Sequence, residues 1–396
     1  MKNISAICLT GKRVLIRVDF NVPLDEDFNI TDDSRILASL PTIRKVMTDG
    51  GKVIIMSHFG RPKNGFEERF SLKHTVKHLS GLLETSVGFS SDCIGKNTSV
   101  DISNMKNGDI LVLENLRFYT EEESGDPAFA KQLAKLADVY VNDAFGTAHR
   151  AHASTAIIAD YFPNEKYFGL LLSSEIRNLK IALEKPKRPF TAIIGGAKIT
   201  GKIDVITSLF NKVDNLIVGG GMAYTFAKAM GGKIGNSLIE EDKVELAKSL
   251  IATAKEKRVE LLLPSDSVNA DDFNNNATIQ NSEITNVPNG YMGLDIGLKS
   301  IALFSDVILN SKTIIWNGPM GVFEMDNFSN GTKKIGAAVC RATENGAFSL
   351  VGGGDSVAAV TQFGFTDKVS YISTGGGAML EYLEGKELPG VVAIRG

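Results

Sequence analysis

Apolar residues fall in short unbroken runs rather than alternating with polar ones: Val14-Leu15-Ile16, Val53-Ile54-Ile55-Met56, Ile110-Leu111-Val112-Leu113, Val139-Tyr140-Val141, Ala192-Ile193-Ile194, Leu216-Ile217-Val218, Leu261-Leu262-Leu263, Ile314-Ile315-Trp316, Leu350-Val351 and Tyr371-Ile372. Such runs, rich in β-branched residues, read as strands covered on both faces, and helical patterns lie between most of them. The predicted fold is α/β, with two doubly wound parallel-sheet (Rossmann-like) domains. Asp126-Pro127 marks a helix start, a capping carboxylate followed by proline at the first helical position. A second helix is expected from Glu240 to about Lys257, with Val244, Leu246, Ala247, Leu250 and Ile251 on its inner side. Leu170–Glu184 reads as a helix that stops before Pro186 and runs into Lys185-Pro186-Lys187-Arg188-Pro189, where proline cannot continue it. This places one domain over 1–170, a hinge helix and linker over 171–189, and a second domain from 190 to 375. A helical connection, unlike a Gly/Ser tether, transmits geometry between domains.

Length changes this picture little: 396 residues suit two domains, each large enough for its own core. With 43 Lys+Arg against 46 Asp+Glu, the net charge is −3, and neither half carries the basic block of a nucleic-acid-binding protein. Cys8, Cys93 and Cys340 lie far apart, without a CxxC pair, and read as reduced thiols of a cytoplasmic protein. No stretch approaches the ~20 apolar residues that span a bilayer, and MKNISAICLTGKR lacks a leader's apolar segment, so neither membrane insertion nor secretion is expected.

In an open parallel sheet, ligands bind beyond the carboxyl ends of the strands. After the first four runs come Arg17-Val18-Asp19-Phe20-Asn21, Ser57-His58-Phe59-Gly60-Arg61, Glu114-Asn115-Leu116-Arg117 and Asn142-Asp143, the last leading to His149-Arg150. Arg35 adds a further cation at a helix start. Arginine presents a planar fork to carboxylate or phosphate oxygens, and each charged hydrogen bond is worth roughly 1.5–3 kcal/mol. One such arginine would be an ordinary surface residue, but several at strand ends in a near-neutral domain specify a small, multiply anionic ligand. His74 and His78, four apart on a helix, imitate a metal pair; with no third ligand near, they read as a solvated helix face. His149 and His152 flank Arg150 and are weaker ligand candidates.

The later strands end in glycine instead: Gly195-Gly196-Ala197-Lys198, Gly219-Gly220-Gly221, Asn317-Gly318-Pro319-Met320-Gly321, Gly352-Gly353-Gly354-Asp355-Ser356 and Gly375-Gly376-Gly377. Glycine lets backbone amides approach phosphate closely, so a nucleoside triphosphate is the natural occupant. Two near-matches fail. Gly196 to Ile203 has Walker A spacing but ends in isoleucine where Mg²⁺ needs a hydroxyl, and Gly219-Gly220-Gly221-Met222-Ala223-Tyr224 breaks a GxGxxG fingerprint. Lys198 and Lys202, one helical turn apart if a helix begins here, can point toward phosphate. Asp355 supplies one carboxylate for a phosphate-bound Mg²⁺, or an N-cap. Trp316, inside an apolar run, reads as core rather than a base-stacking residue. A nicotinamide-dependent dehydrogenase and a non-catalytic anion or nucleotide sensor are the alternatives; the first lacks an intact fingerprint, and the second has no use for Lys202 and Asp355.

In order along the chain, RVDFNVP, SHFGRP, ENLRF, NDAFGTAHRAHAS, GGAK, WNGPMGVFE, GGGDS, STGGGA and ELPGV resemble the phosphoglycerate kinase family. The resemblance implies a monomer of two α/β domains, with 3-phosphoglycerate on the first and Mg·ATP or Mg·ADP on the second, and a final segment, 376–396, that returns to the first domain. It puts the acid on Asp19, Asn21, Arg35, His58, Arg61, Arg117 and Arg150, with Phe20, Phe59 and Gly60 in the same motifs. It puts the nucleotide on Lys198, Lys202, Gly219, Gly220, Asn317, Gly353, Gly354 and Ser356, with Glu324 at the ribose and Asp355 at Mg²⁺. Arg35, Lys198 and Lys202 become the catalytic cations of an acyl-phosphate transfer. Departures are small: Ser356 stands for a common threonine, Ser173-Ser174 for a charged pair in the hinge helix, and Tyr224 for phenylalanine beside the adenine pocket.

Overall fold

The computed structural model describes residues 2–63 and 65–395, and the chain divides into two compact units, Met1–Arg177 with Glu387–Gly396, and Asn178–Lys386. The first contains β1 (Arg13–Arg17), β2 (Lys52–Met56), β3 (Val87–Ser90), β4 (Ile110–Leu113), β5 (Val139–Asn142) and β6 (Lys166–Phe168). They form one parallel sheet in the order β3-β4-β2-β1-β5-β6. Strand side chains Val14, Ile16, Val53, Ile55, Val112 and Val141 share a core with Ile36, Leu40 and Ile43 of the helix Ser34–Thr48 and Leu79 of the helix Lys73–Leu83. Burial on both faces explains why these strands read as unbroken apolar runs.

The second unit contains β7 (Phe190–Ile194), β8 (Asn215–Val218), β9 (Lys233–Ile234), β10 (Glu260–Leu262), β11 (Asp266–Ala270), β12 (Ile279–Glu283), β13 (Asn286–Val287), β14 (Met292–Ile296), β15 (Thr313–Asn317), β16 (Phe348–Val351) and β17 (Tyr371–Ile372). Six of them form a second parallel sheet, β10-β8-β7-β15-β16-β17. Its core joins Ile193, Ile217, Ile314 and Trp316 to Phe304 and Ile308 of the helix Leu298–Asn310 and to Ile335 and Val339 of the helix Asn330–Glu344. Beside it lie an antiparallel sheet, β12-β11-β14, and the short pair β13-β9.

All ten expected runs lie in the two parallel sheets. The edge strands β3 and β6 escaped the sequence because β3 has only its two end residues buried and β6 has only three residues. In the antiparallel sheet β12 is polar and exposed at four of its five positions, while Asp, Asn or Gly breaks the apolar pattern of the more buried β11 and β14. Asp126 caps the helix Pro127–Ala134, its carboxylate accepting from the Phe129 N–H at 2.7 Å. The helix expected from Glu240 begins at Val244 after a 3₁₀ turn, Glu241–Lys243. Lys198 and Lys202 do not share a helical turn: a 3₁₀ turn covers Thr200–Lys202, and the helix Ile203–Leu209 follows.

The boundary between the units falls inside the helix Leu170–Leu183. Its first turn is anchored at the end of β5. The Leu172 N–H donates to Asp143 Oδ1 at 3.1 Å, the Leu170 N–H donates to Thr42 Oγ1 at 2.9 Å, and Thr42 in turn donates to Asp143. Residue 169 must be glycine, since a Cβ there would lie 2.1 Å from Asp143 Oδ1. Asp143 is fully buried, and burial pushes its carboxyl up to about 6 from 3.8. Between about pH 4 and 6 the folded state therefore holds more protons than the unfolded one, and stability falls as pH rises through this window. The gap of about 2 pH units corresponds to about 3 kcal/mol. Asp143→Asn keeps an acceptor for Leu172 and removes the titration. Relative to wild type, its unfolding free energy in urea should shift in the variant's favour by about 3 kcal/mol between pH 4 and pH 7.5; a pH-independent difference would contradict this account.

Candidate active site

In the first unit the loops after β1, β2, β4 and β5 leave from four adjacent strands. Arg17 pairs with Met56 and Asn142, and Ile55 with Val112, so the carboxyl ends are level. Asp19, two residues beyond β1, receives Arg35 Nη1 at 3.2 and 3.3 Å, and the same nitrogen donates to the Asn21 carbonyl at 3.0 Å. Asn21 Oδ1 accepts from the Gly60 N–H at 2.8 Å, and Arg117 Nη1 donates to the Gly60 carbonyl at 2.7 Å. Asp19, Asn21, Arg35, Gly60 and Arg117 thus form one connected network. Arg117 Nε also meets Glu123 at 3.1 Å.

Beneath this network, Arg17 is fully buried. It donates through Nε to Ser154 Oγ at 2.8 Å, and Ser154 passes its own proton to buried Glu122 at 2.6 Å. Its Nη2 lies 3.3 Å from His58 Nδ1, which makes that ring nitrogen the acceptor. Burial, then Arg17, Arg117 and Arg35, hold His58 far below the usual imidazole range, and burial, then Arg17, Arg117 and Arg150, brings His152 down to about 4. Both rings are neutral at pH 7, so the 3.9 Å approach of His58 to Asp19 is a polar contact rather than an ion pair. Phe20 and Phe59 point into the core. Their backbone N–H groups donate to Ser57 Oγ at 2.9 Å and Asn115 Oδ1 at 3.0 Å, and their carbonyls accept from the Val22 N–H at 2.8 Å and Asn115 Nδ2 at 2.7 Å, so both residues are bonded within the protein. Arg61 and Arg150 sit in the same loops, exposed, outside the bonded network.

In the second unit the turns after β7, β8, β15 and β16 border a cleft of about 780 Å³. Leu238, Phe273, Met292, Leu294, Val322 and Met325 give it an apolar wall; Gly196, Gly220, Gly321, Glu324 and Asp355 are also on it. The turns pack by backbone: a Cβ on Gly195 would lie 2.1 Å from the Pro319 carbonyl, and Gly353 has φ +96°. Asn317 accepts from Lys202 Nζ and donates to the Gly352 carbonyl at 2.7 Å. Burial lowers the Lys202 pKa, and Asp355 opposes the shift. Ser356 is buried, its hydroxyl accepting from the Gly318 N–H at 2.5 Å. Trp316 is fully buried and donates to the Gly318 carbonyl at 2.8 Å, as a core residue would. Lys198, Glu324, Gly354 and Asp355 are exposed, and Gly219 is buried against Met320.

Asp355 lies in the first turn of the helix Gly354–Gln362, whose cap position is Gly353, so it is not the N-cap. Among the described residues it makes no ion pair, nor do Arg61, Arg150 or Lys198. An exposed carboxylate without an ion pair, in the first turn of a helix beside the cleft, fits Mg²⁺ arriving on phosphates, which binds through one or two carboxylates. Among the described residues no group of three or more His, Cys, Asp or Glu could hold a metal by itself. His78 meets Asp33 at 2.9 Å and His74 the Glu68 carbonyl at 2.8 Å, so the two rings take different partners. No helix among the described residues is long and apolar enough to cross a membrane.

Sequence reasoning did not identify the cleft's apolar wall, since its residues look like core until the fold brings them together around a void. It also missed Glu122, Ser154 and Glu240; the last accepts from the Ile199 N–H at 2.5 Å and fixes the loop carrying Lys198.

Comparison with known proteins bears on the fold and the family. The family model for phosphoglycerate kinase matches residues 4–386. A phosphoglycerate kinase of Porphyromonas gingivalis is 54% identical over 410 residues, covering 98% of each chain. Solved structures of phosphoglycerate kinases from Coxiella burnetii (TM-score 0.90, 41% identity, 99% of this chain and 98% of that one) and Pyrococcus horikoshii (TM-score 0.83, 31%, 100% and 98%) share the two-domain parallel-sheet fold. None of these relatives favours a dehydrogenase or a sensor; the chain is a kinase, a phosphotransferase, and belongs to the phosphoglycerate kinase family.

Proposed function

We propose that the chain transfers the acyl phosphate of 1,3-bisphosphoglycerate to Mg·ADP, reversibly giving 3-phosphoglycerate and ATP, as a cytoplasmic monomer. The observation that supports this best is the difference between its two sites: a fork of arginines on a buried polar base in one unit, and a glycine-edged apolar cleft with Asp355 in the other. The first suits a small acid with several negative charges, the second a purine nucleotide.

Written toward ADP formation, a carboxylate oxygen of 3-phosphoglycerate attacks the γ-phosphorus of ATP. The new acyl P–O bond forms as the bond to the β–γ bridging oxygen breaks, and ADP leaves with that electron pair. The carboxylate is already ionised at pH 7, so no general base is required. Catalysis then consists of positioning and charge stabilisation. Asp19, Asn21, His58, Arg61, Arg117 and Arg150 hold the acid, while Arg35 and Lys202 stabilise the oxygens of the moving phosphoryl. Lys198, Gly353 and Gly354 bind the nucleotide phosphates, and Glu324 the ribose. Mg²⁺, a partner of the nucleotide carried by Asp355, neutralises phosphate charge when bound. Gly219, Gly220, Asn317 and Ser356 act through the shape of the turns.

Purified protein should produce ADP from Mg·ATP only when 3-phosphoglycerate is present, in a coupled assay that removes 1,3-bisphosphoglycerate, and EDTA should abolish turnover. ATP hydrolysis indifferent to the acid would contradict the proposal. Arg35→Ala should lower kcat on the order of a hundredfold while raising KM for 3-phosphoglycerate less than about threefold; a change in KM alone would make Arg35 a ground-state binding residue. Since the acid and nucleotide groups belong to different units, turnover requires closure about the 171–189 segment, which also excludes water from the acyl phosphate. Small-angle scattering should show a smaller radius of gyration with both substrates than with either alone, and an unchanged radius would count against closure.

A further inference from the structure

Asp295, in β14, is 3% exposed and lies on the wall of the apolar cleft. Its Oδ2 accepts from the Gly331 N–H at 2.6 Å, and its Oδ1 from the Ile296 N–H at 2.9 Å. Gly331 lies in the first turn of the helix Asn330–Glu344, so the carboxylate faces the positive end of that helix. On a third side lies Gly321. A Cβ at Gly321 would be 2.3 Å from Asp295 Oδ1 and one at Gly331 2.2 Å, so both positions are bare because the carboxylate fills the space. The Val322 N–H donates to the Leu294 carbonyl at 2.8 Å, joining the 321–325 loop to β14 next to the same point.

Three segments therefore converge on one carboxylate: β14 with Met292, Gly293 and Leu294, the loop with Val322, Glu324 and Met325, and the start of the helix Asn330–Glu344. No lysine or arginine pairs with Asp295 among the described residues, and burial pushes its carboxyl up to about 7. Keeping a carboxyl here without a cation is costly, and a well-packed apolar residue would serve the core better. What an apolar residue would lack is a two-oxygen acceptor that ties backbone N–H groups of two segments at one point.

We propose that Asp295 is a positioning residue for the nucleotide, fixing β14 and the 321–325 loop against the start of the helix Asn330–Glu344 and so setting the width of the slot that receives the base. This rests on the assignment of the cleft to the nucleotide. Asp295→Asn loses an acceptor and the charge at constant size. Gly331→Ala displaces the carboxylate while leaving Asp295 in place, and alanine is the better helix former.

Each variant should raise KM for Mg·ATP about tenfold, with kcat at saturating nucleotide and KM for 3-phosphoglycerate within about twofold of wild type. Because both changes act on one contact, the double variant should be no worse than the worse single one. Calorimetric titration with Mg·ADP should show the same loss of affinity. Unchanged nucleotide affinity in both variants, or a joint fall of all three kinetic parameters, overturns the proposal. If Asp295→Asn does not fold, Gly331→Ala decides the matter by the same criteria. Leu238→Trp, which fills the cleft, separates the two levels: if it leaves Mg·ADP affinity unchanged, the cleft assignment falls, whereas a loss there with no effect of the Asp295 and Gly331 variants removes only the role of Asp295.

Discussion

Parallel pairing with level carboxyl ends is the constraint on which both sites depend. A parallel ladder requires each strand to return through a crossover, so every strand in the sheet leaves it at the same edge. With Arg17 opposite Met56 and Asn142, the loops holding Asp19, His58 and Asp143 begin at one height and converge without any long excursion. In the second sheet Ile194 lies opposite Asn317 and Val218, and Trp316 opposite Val351, so the glycine turns are brought together by the same rule. A slip of one residue at β1 would turn Arg17 from its buried position beside His58 to the other face.

Concentrating arginines demands compensation, and the first unit supplies it beneath the surface. Glu122 balances Arg17 through Ser154, Asp19 balances Arg35, and Glu123 balances Arg117. His58 and His152 stay neutral, which removes two further positive charges from a crowded cluster while keeping their ring nitrogens as hydrogen-bonding groups. The donors are held by partners on the protein side before a ligand arrives, so little reorganisation is required on binding. Arg61 and Arg150, exposed and outside the network, leave positive charge uncompensated where an anion can reach it.

The parts of this arrangement visible in the sequence are those with an unusual residue type at an unusual place. Arginine after a buried strand and triple glycine after another are both conspicuous, which is why Arg61, Arg117 and Asp355 stood out. Arg17 was visible as a residue, but its burial and its partner Glu122 were not, since the two are 105 positions apart, as their numbers show, and meet through Ser154. The strand β12 escaped because it is exposed and polar, and β11 and β14 because Asp, Asn or Gly interrupts their few apolar residues, although each is buried at three of five positions. The wall of the cleft escaped for the opposite reason: Leu294 and Val322 have the composition of core, and only the fold shows that they surround a space.

The two sites also differ in what holds them. Side chains define the arginine site, so its chemistry is written in residue types. Backbone defines the glycine turns, where Gly195 meets Pro319 and Gly220 meets Gly196 at distances no side chain could share. The proposed reaction explains why this division suffices. An ionised carboxylate nucleophile needs no proton removed, and His58, its Nδ1 occupied by Arg17, is arranged as a fixed polar group rather than as a base. With no proton to move, rate depends on where charge is placed, and placement is best served by groups rooted at strand ends and by backbone that cannot rotate away.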